Sequence, residues 1–128
     1  MQAWVADLRV VPTGVWLPWI AVGLEALGIV VIALGYSFLG DANQIGLTKQ
    51  PRYVRTGGPY SLSRNPIYLG FHLLSAAAVL YTANPVVLIL ALLSVALHHA
   101  IVLAEERHLD STLGAEYREY RARVRRYL

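Results

Sequence analysis

Apolar and polar residues separate along this chain into three long apolar runs, with polar stretches between the first two and after the last. Trp16 to Leu39 contains one formal charge, Glu25, while Ile67 to Thr82 and Val86 to Ala104 contain none. A membrane-crossing helix needs about 17 to 25 residues, so the first and third runs are long enough and the second is marginal. The "TANP" of Thr82 to Pro85 is too short and uncharged to be anything but a turn between antiparallel helices, which makes Pro66 to Ala104 a helical hairpin. Both of its helices open with an Asn-Pro pair, Asn65-Pro66 and Asn84-Pro85. Asn can accept a hydrogen bond from an orphan N–H there, and Pro at the first helical position gives up no useful donor. The pattern predicts one all-α integral membrane domain over residues 1–128. Its spans fall at about 16–39, 66–83 and 85–104, with a cap loop over 40–65 and a tail over 105–128.

Composition supports the membrane reading. Hydrophobic residues make up 56% of the 128 and charged residues 15%, with a mean hydropathy of +0.47, a balance foreign to a small water-soluble domain. Charge placement orients the chain. Lys49, Arg52, Arg55 and Arg64 stand in the loop against Asp41, and the tail from Glu105 holds six Arg, whereas the hairpin turn holds none. Both basic segments are expected in the cytoplasm, with the turn and the N-terminus outside. A cleaved signal peptide fits poorly, because the start lacks a basic n-region and the first apolar run is too long. The formal charge of +3 suits an anionic membrane surface better than nucleic acid, since no basic stripe interleaves with aromatics. Without Cys there are no disulfides, thiol nucleophiles or thiolate metal sites.

The chemistry concentrates at the ends of the hairpin. "GPYSLSRNPIYLG", Gly58 to Gly70, is a rigid cationic hinge that delivers Arg64 beside the N-terminus of the second helix, where free N–H groups and the helix dipole favour an anion. Snorkelling of Arg64 to lipid phosphate is the competing explanation. Glu105 and Glu106 stand near the expected C-terminus of the third helix, where the dipole disfavours carboxylates, so a cationic or hydroxyl-rich partner is expected. Neighbouring helical residues lie about 100° apart, so one Glu can face the interior while the other meets water or Arg. Beyond Gly114, Tyr117, Tyr120, Val124 and Tyr127 recur at 3, 4 and 3 residues, which predicts an amphipathic helix for the headgroup region or for closing a cytoplasmic pocket. Glu25, His72, His98 and His99 are intramembrane ionisable groups and therefore site candidates. No HExxH spacing is present and His98 and His99 point different ways, so no metal site is expected.

Taken together, "GPYSLSRNPIYLG", the "NP" between two spans and "EERHLDSTLGAEYREYRARV" resemble the isoprenylcysteine carboxyl methyltransferase and phospholipid methyltransferase superfamily of integral membrane enzymes, over about residues 16 to 126. The resemblance implies a helical membrane fold that binds S-adenosylmethionine near the cytoplasmic face and methylates a small or lipid-like acceptor. By matching position it implies cofactor contacts from Arg52, Tyr53, Val54 and Arg55, from Tyr60, and from Arg64, Asn65, Pro66, Ile67, Tyr68 and Glu105, with Gln44 a further loop contact. If the acceptor is an amine or thiol a base is needed, for which His98, His99 and Glu106 are the candidates.

Three departures stand out. Asn65 occupies the place of a His common in the family, Ile101 that of an Arg which holds the carboxylate of isoprenylcysteine substrates, and the N-terminal helices are fewer. The second departure argues against a prenylated cysteine substrate. The third makes a second copy, in a homodimer, a candidate wall of the pocket. A membrane reductase using NADPH, with a similar "RNPxY" hinge, and a non-catalytic scaffold are the competing classes.

Overall fold

The computed structural model describes residues 14–39 and 53–128, and among these every regular element is helical. Helix α1 spans Leu17–Leu39, α2 Pro66–Thr82, α3 Pro85–Leu113 and α4 Ala115–Arg123, with a single 3-10 turn at Gly58–Ser61 before α2. The first and third are long and apolar enough to cross a membrane, and their leucines and isoleucines, among them Ile29, Leu34, Leu92, Leu93 and Leu97, point outward. Such continuous apolar surface is stable against lipid and not against water. Helix α2, with 17 residues, falls just short of the same length.

Small residues decide how α1 and α2 meet. Ala21, Gly28 and Gly35 recur every seven residues along α1 and are buried, and Gly70 and Ala77 repeat the interval on α2. A Cβ on Gly28 would stand 3.0 Å from the Gly70 carbonyl, and one on Gly70 2.9 Å from the Gly28 carbonyl, so the two backbones touch. Ile67 fills the space over Gly35 and Ile32 the space over Gly70, an antiparallel register in which van der Waals contact holds the pair where the hydrophobic effect cannot. Gly70→Leu is expected to separate α1 from α2, costing at least about 1–3 kcal/mol. Gly23→Leu, on an α1 face with nothing within 4 Å, should be silent. Thermal unfolding of both variants in detergent checks the contrast.

The hairpin forms as the sequence predicts, with α2 and α3 joined by Ala83 in the left-handed region (φ 45°) and Asn84 accepting from the Val86 N–H at 2.8 Å. Three expectations change. Helix α3 does not stop at Ala104 but runs to Leu113, so Glu105 and Glu106 lie two turns inside it and the C-terminal dipole argument does not apply. Its Glu, Arg and Leu are strong helix formers that carry it into the polar region until Gly114, at φ 55°, ends it. Asn65 does not cap α2, because its amide is drawn to Glu106 instead. The tail helix ends at Arg123, so Tyr127 lies on a non-helical segment, not on the helical stripe with Tyr117 and Tyr120.

Candidate active site

The hinge is built as a receptacle for the C-terminal segment. After the 3-10 turn the chain reaches Ser63, Arg64 and Asn65, and residues 124–126 run beside them. The Arg64 N–H donates to the Arg125 carbonyl at 2.9 Å, while Ser63 Oγ and Asn65 Nδ2 both donate to the Arg126 carbonyl at 3.2 Å. Helix α4 adds two buried phenols: Tyr120 donates to the Tyr60 carbonyl at 2.6 Å, and Tyr117 accepts from Arg64 Nη1 at 3.4 Å. Burial pushes the Tyr120 phenol up and that of Tyr60 up to about 12, so both remain neutral donors. Tyr60 uses its proton on the Gly35 carbonyl of α1 at 3.4 Å. Gly58, at φ 57°, has no room for a Cβ because the Phe38 ring at the end of α1 occupies that space.

At the centre is Glu106. Arg126 grips it through both nitrogens, Nε to Oε1 and Nη2 to Oε2 at 3.0 Å each. Arg64 Nη2 approaches Oε1 to 3.4 Å and Asn65 Nδ2 donates to it at 3.3 Å. Glu106 and Arg64 side chains are each only 7% exposed, so snorkelling does not describe Arg64. With its oxygens filled by charge-assisted bonds, Glu106 is a clasp and a poor candidate for a base. A cavity of about 220 Å³ flanks it on the α4 side, lined by Leu103, Arg107, Asp110, Arg121 and Arg126.

Glu105 faces elsewhere, as the 100° rotation requires. Its Oε1 accepts from the Tyr68 hydroxyl at 3.0 Å, and it makes no other bond among the described residues. The Tyr68 ring continues to His98, with centroids 5.6 Å apart, and His98 also meets Phe71 at 5.4 Å and His72 at 5.9 Å. His99 Nδ1 lies 3.1 Å from the Tyr127 hydroxyl, and the Tyr127 ring stands edge-on to His72 at 5.1 Å. One end of the helical hairpin therefore carries an acid, a phenol and three imidazoles linked, with Tyr127, in one series of contacts.

Most of the sequence-predicted residues converge on this end. Arg64, Asn65, Tyr68, His98, His99, Glu105 and Glu106 join the two networks, while Pro66 and Ile67 are buried packing residues beneath them. Val54 donates its N–H to Glu116 of α4 at 3.0 Å, and Arg55 lies over the Tyr53 ring and reaches the Phe38 carbonyl at 3.5 Å. Gln44 and Arg52 lie outside the described residues. Glu25 makes no bond to any described residue, and no group of three metal-ligating side chains exists among them. Ser63 and Arg126 join the site without a sequence motif to mark them. Ser63 carried no signal, and Arg126 is one of six tail arginines whose partner lies twenty residues away.

No match to the chain is found among the curated proteins or the solved structures. The family profile described as phospholipid methyltransferase, however, matches residues 16–116, from the start of the first apolar run through the hinge, the hairpin and the acidic pair into α4. With the geometry of those same segments in hand, the chain belongs to the phospholipid methyltransferase family of membrane proteins.

Proposed function

We propose that the protein is an S-adenosylmethionine-dependent methyltransferase acting on a small or lipid-like acceptor, with three spans and its site at the cytoplasmic end of the hairpin. The observation that carries this reading is the pairing of Glu105 with Tyr68, beside a neighbouring Glu106 that holds the buried Arg64 side chain. The donor set suits such a cofactor. Glu105 has an oxygen beyond the one that Tyr68 engages, fit for an ammonium or ribose hydroxyl. Arg55 and Arg64 each bury an Nε–H without an acceptor among the described residues, fit for a carboxylate. A buried donor left unpaired costs about 1–3 kcal/mol, which a bound anion would recover.

When bound, the cofactor supplies an electrophilic methyl group on a sulfonium. The chain's own part is placement and dryness. Tyr68 fixes the rotamer of Glu105, the Glu106 clasp fixes the Arg64 and Asn65 side chains of the hinge, and the C-terminal segment bonds the hinge backbone and covers it against water. The basic residues on this end orient it to the cytoplasm, and a lipophilic acceptor enters sideways between helices.

Calorimetric titration of the detergent-purified protein with S-adenosylhomocysteine, with NADPH in parallel, tests the reading. Saturable binding of the former alone is expected. Binding of NADPH alone would move the protein to the reductases, and silence from both would leave a scaffold.

A further inference from the structure

Three histidines within an apolar hairpin are an expensive arrangement, and only some of their nitrogens are used. His99 is satisfied by Tyr127, but His72 Nε2 and His98 Nδ1 are both buried with no hydrogen-bond partner among the described residues. The two rings stand 5.9 Å apart across the α2–α3 seam. Tyr68 links this pair to the cofactor end, since its ring packs on His98 while its hydroxyl is held by Glu105. Tyr127 closes the other side, edge-on to His72 and bonded to His99. Buried polar atoms in a structure are normally paired, and two orphans on neighbouring rings point to a ligand with a polar hydrogen to share.

We infer that His98 and His72 form the acceptor subsite, binding the N–H or O–H of a lipophilic amine or alcohol, with His98 the catalytic base and Tyr127 a positioning residue. The inference rests on the methyltransferase reading and deepens it. The acceptor's lone pair forms its bond to the methyl carbon as the carbon–sulfur bond of the sulfonium donor breaks, its electrons staying on sulfur. The proton that the methylated nitrogen or oxygen must then lose goes to the free nitrogen of His98. His98 has this role because its ring packs against both Tyr68 and His72, which joins the cofactor end to the histidine pair. The apolar helix faces around the pair select an acceptor whose remainder is hydrocarbon.

The test uses the full chain, labelled with ¹⁵N at histidine, in detergent micelles. Imidazole resonances, assigned with His72→Gln, His98→Gln and His99→Gln, are followed as dodecylamine, dodecanol or dodecane is added, with S-adenosylhomocysteine present. A saturable shift of the His98 and His72 ring nitrogens with the amine or the alcohol, absent with dodecane, is expected. His98→Ala is then expected to lower methyl transfer to the responding probe by about 100-fold or more while S-adenosylhomocysteine affinity stays within about threefold. Normal S-adenosylhomocysteine binding with silent imidazole signals, or with undiminished transfer in His98→Ala, would overturn the subsite and leave the methyltransferase reading standing. Loss of S-adenosylhomocysteine binding in the unmodified protein would overturn that reading first. Should His98→Ala fail to fold, His98→Gln keeps the bulk and the polar edge but cannot take a proton, and retained transfer in it would be equally fatal.

Discussion

Glu106→Ala is expected to lower stability by about 3–5 kcal/mol, the cost of leaving buried charge unpaired. The carboxylate is shared by two guanidiniums, Arg64 and Arg126, and by the Asn65 amide. Removing it strands Arg64, whose side chain is 7% exposed, beside a second cation with nothing between them. Arg126→Ala should cost less, because the remaining Arg64–Glu106 pair is neutral and because the segment still accepts hydrogen bonds at the Arg125 and Arg126 carbonyls. Glu106→Gln should fall between, keeping an acceptor for Asn65 but no charge. The readouts are thermal unfolding in detergent and trypsin cleavage at Arg123 and Arg125, which should become rapid once the segment leaves the hinge. A melting temperature unchanged in Glu106→Ala, with the tail still protected, would show that the clasp contributes nothing.

What the sequence made legible is what local pattern controls. The hairpin follows from two uncharged runs around a four-residue turn, and Asn84 caps α3 as its Asn-Pro pair implies. The identical pair at Asn65 behaves differently because a carboxylate forty-one residues away competes for its amide, and no local rule contains that. The end of α3 departs from the hydropathy pattern for a related reason. Hydropathy drops at Glu105, but helix propensity does not, and the helix follows propensity until a glycine stops it. The division of labour between Glu105 and Glu106 was visible in helical geometry, whereas their partners were not. Arg126 reaches Glu106 only because the chain leaves the helix at Val124 and runs beside the hinge. The tyrosines of the tail share a helical spacing, yet Tyr117 and Tyr120 serve by burial against the hinge and Tyr127 by reaching into the histidine cluster.

Glu105→Gln separates binding from folding at the next position along the chain. Glutamine keeps an oxygen able to accept from the Tyr68 hydroxyl, and the side chain is half-buried with no ion pair among the described residues, so the variant should melt within a few degrees of the unmodified protein. What it loses is charge at a carboxylate that, unlike Glu106, is not held by an arginine among the described residues. If that charge receives the ammonium or ribose hydroxyl of the cofactor, the lost charge-assisted bond lowers S-adenosylhomocysteine affinity by about 10- to 100-fold. Tyr68→Phe should lower it less, because the carboxylate remains and only its orientation is freed. The contrast between neighbours makes the experiment decisive: substitution at Glu106 acts on unfolding temperature and protease access, substitution at Glu105 on the calorimetric titration. Unchanged binding in Glu105→Gln would remove Glu105 from the cofactor site. A large fall in its melting temperature would instead make it a second clasp, with the charge turned to holding Tyr68 and α2.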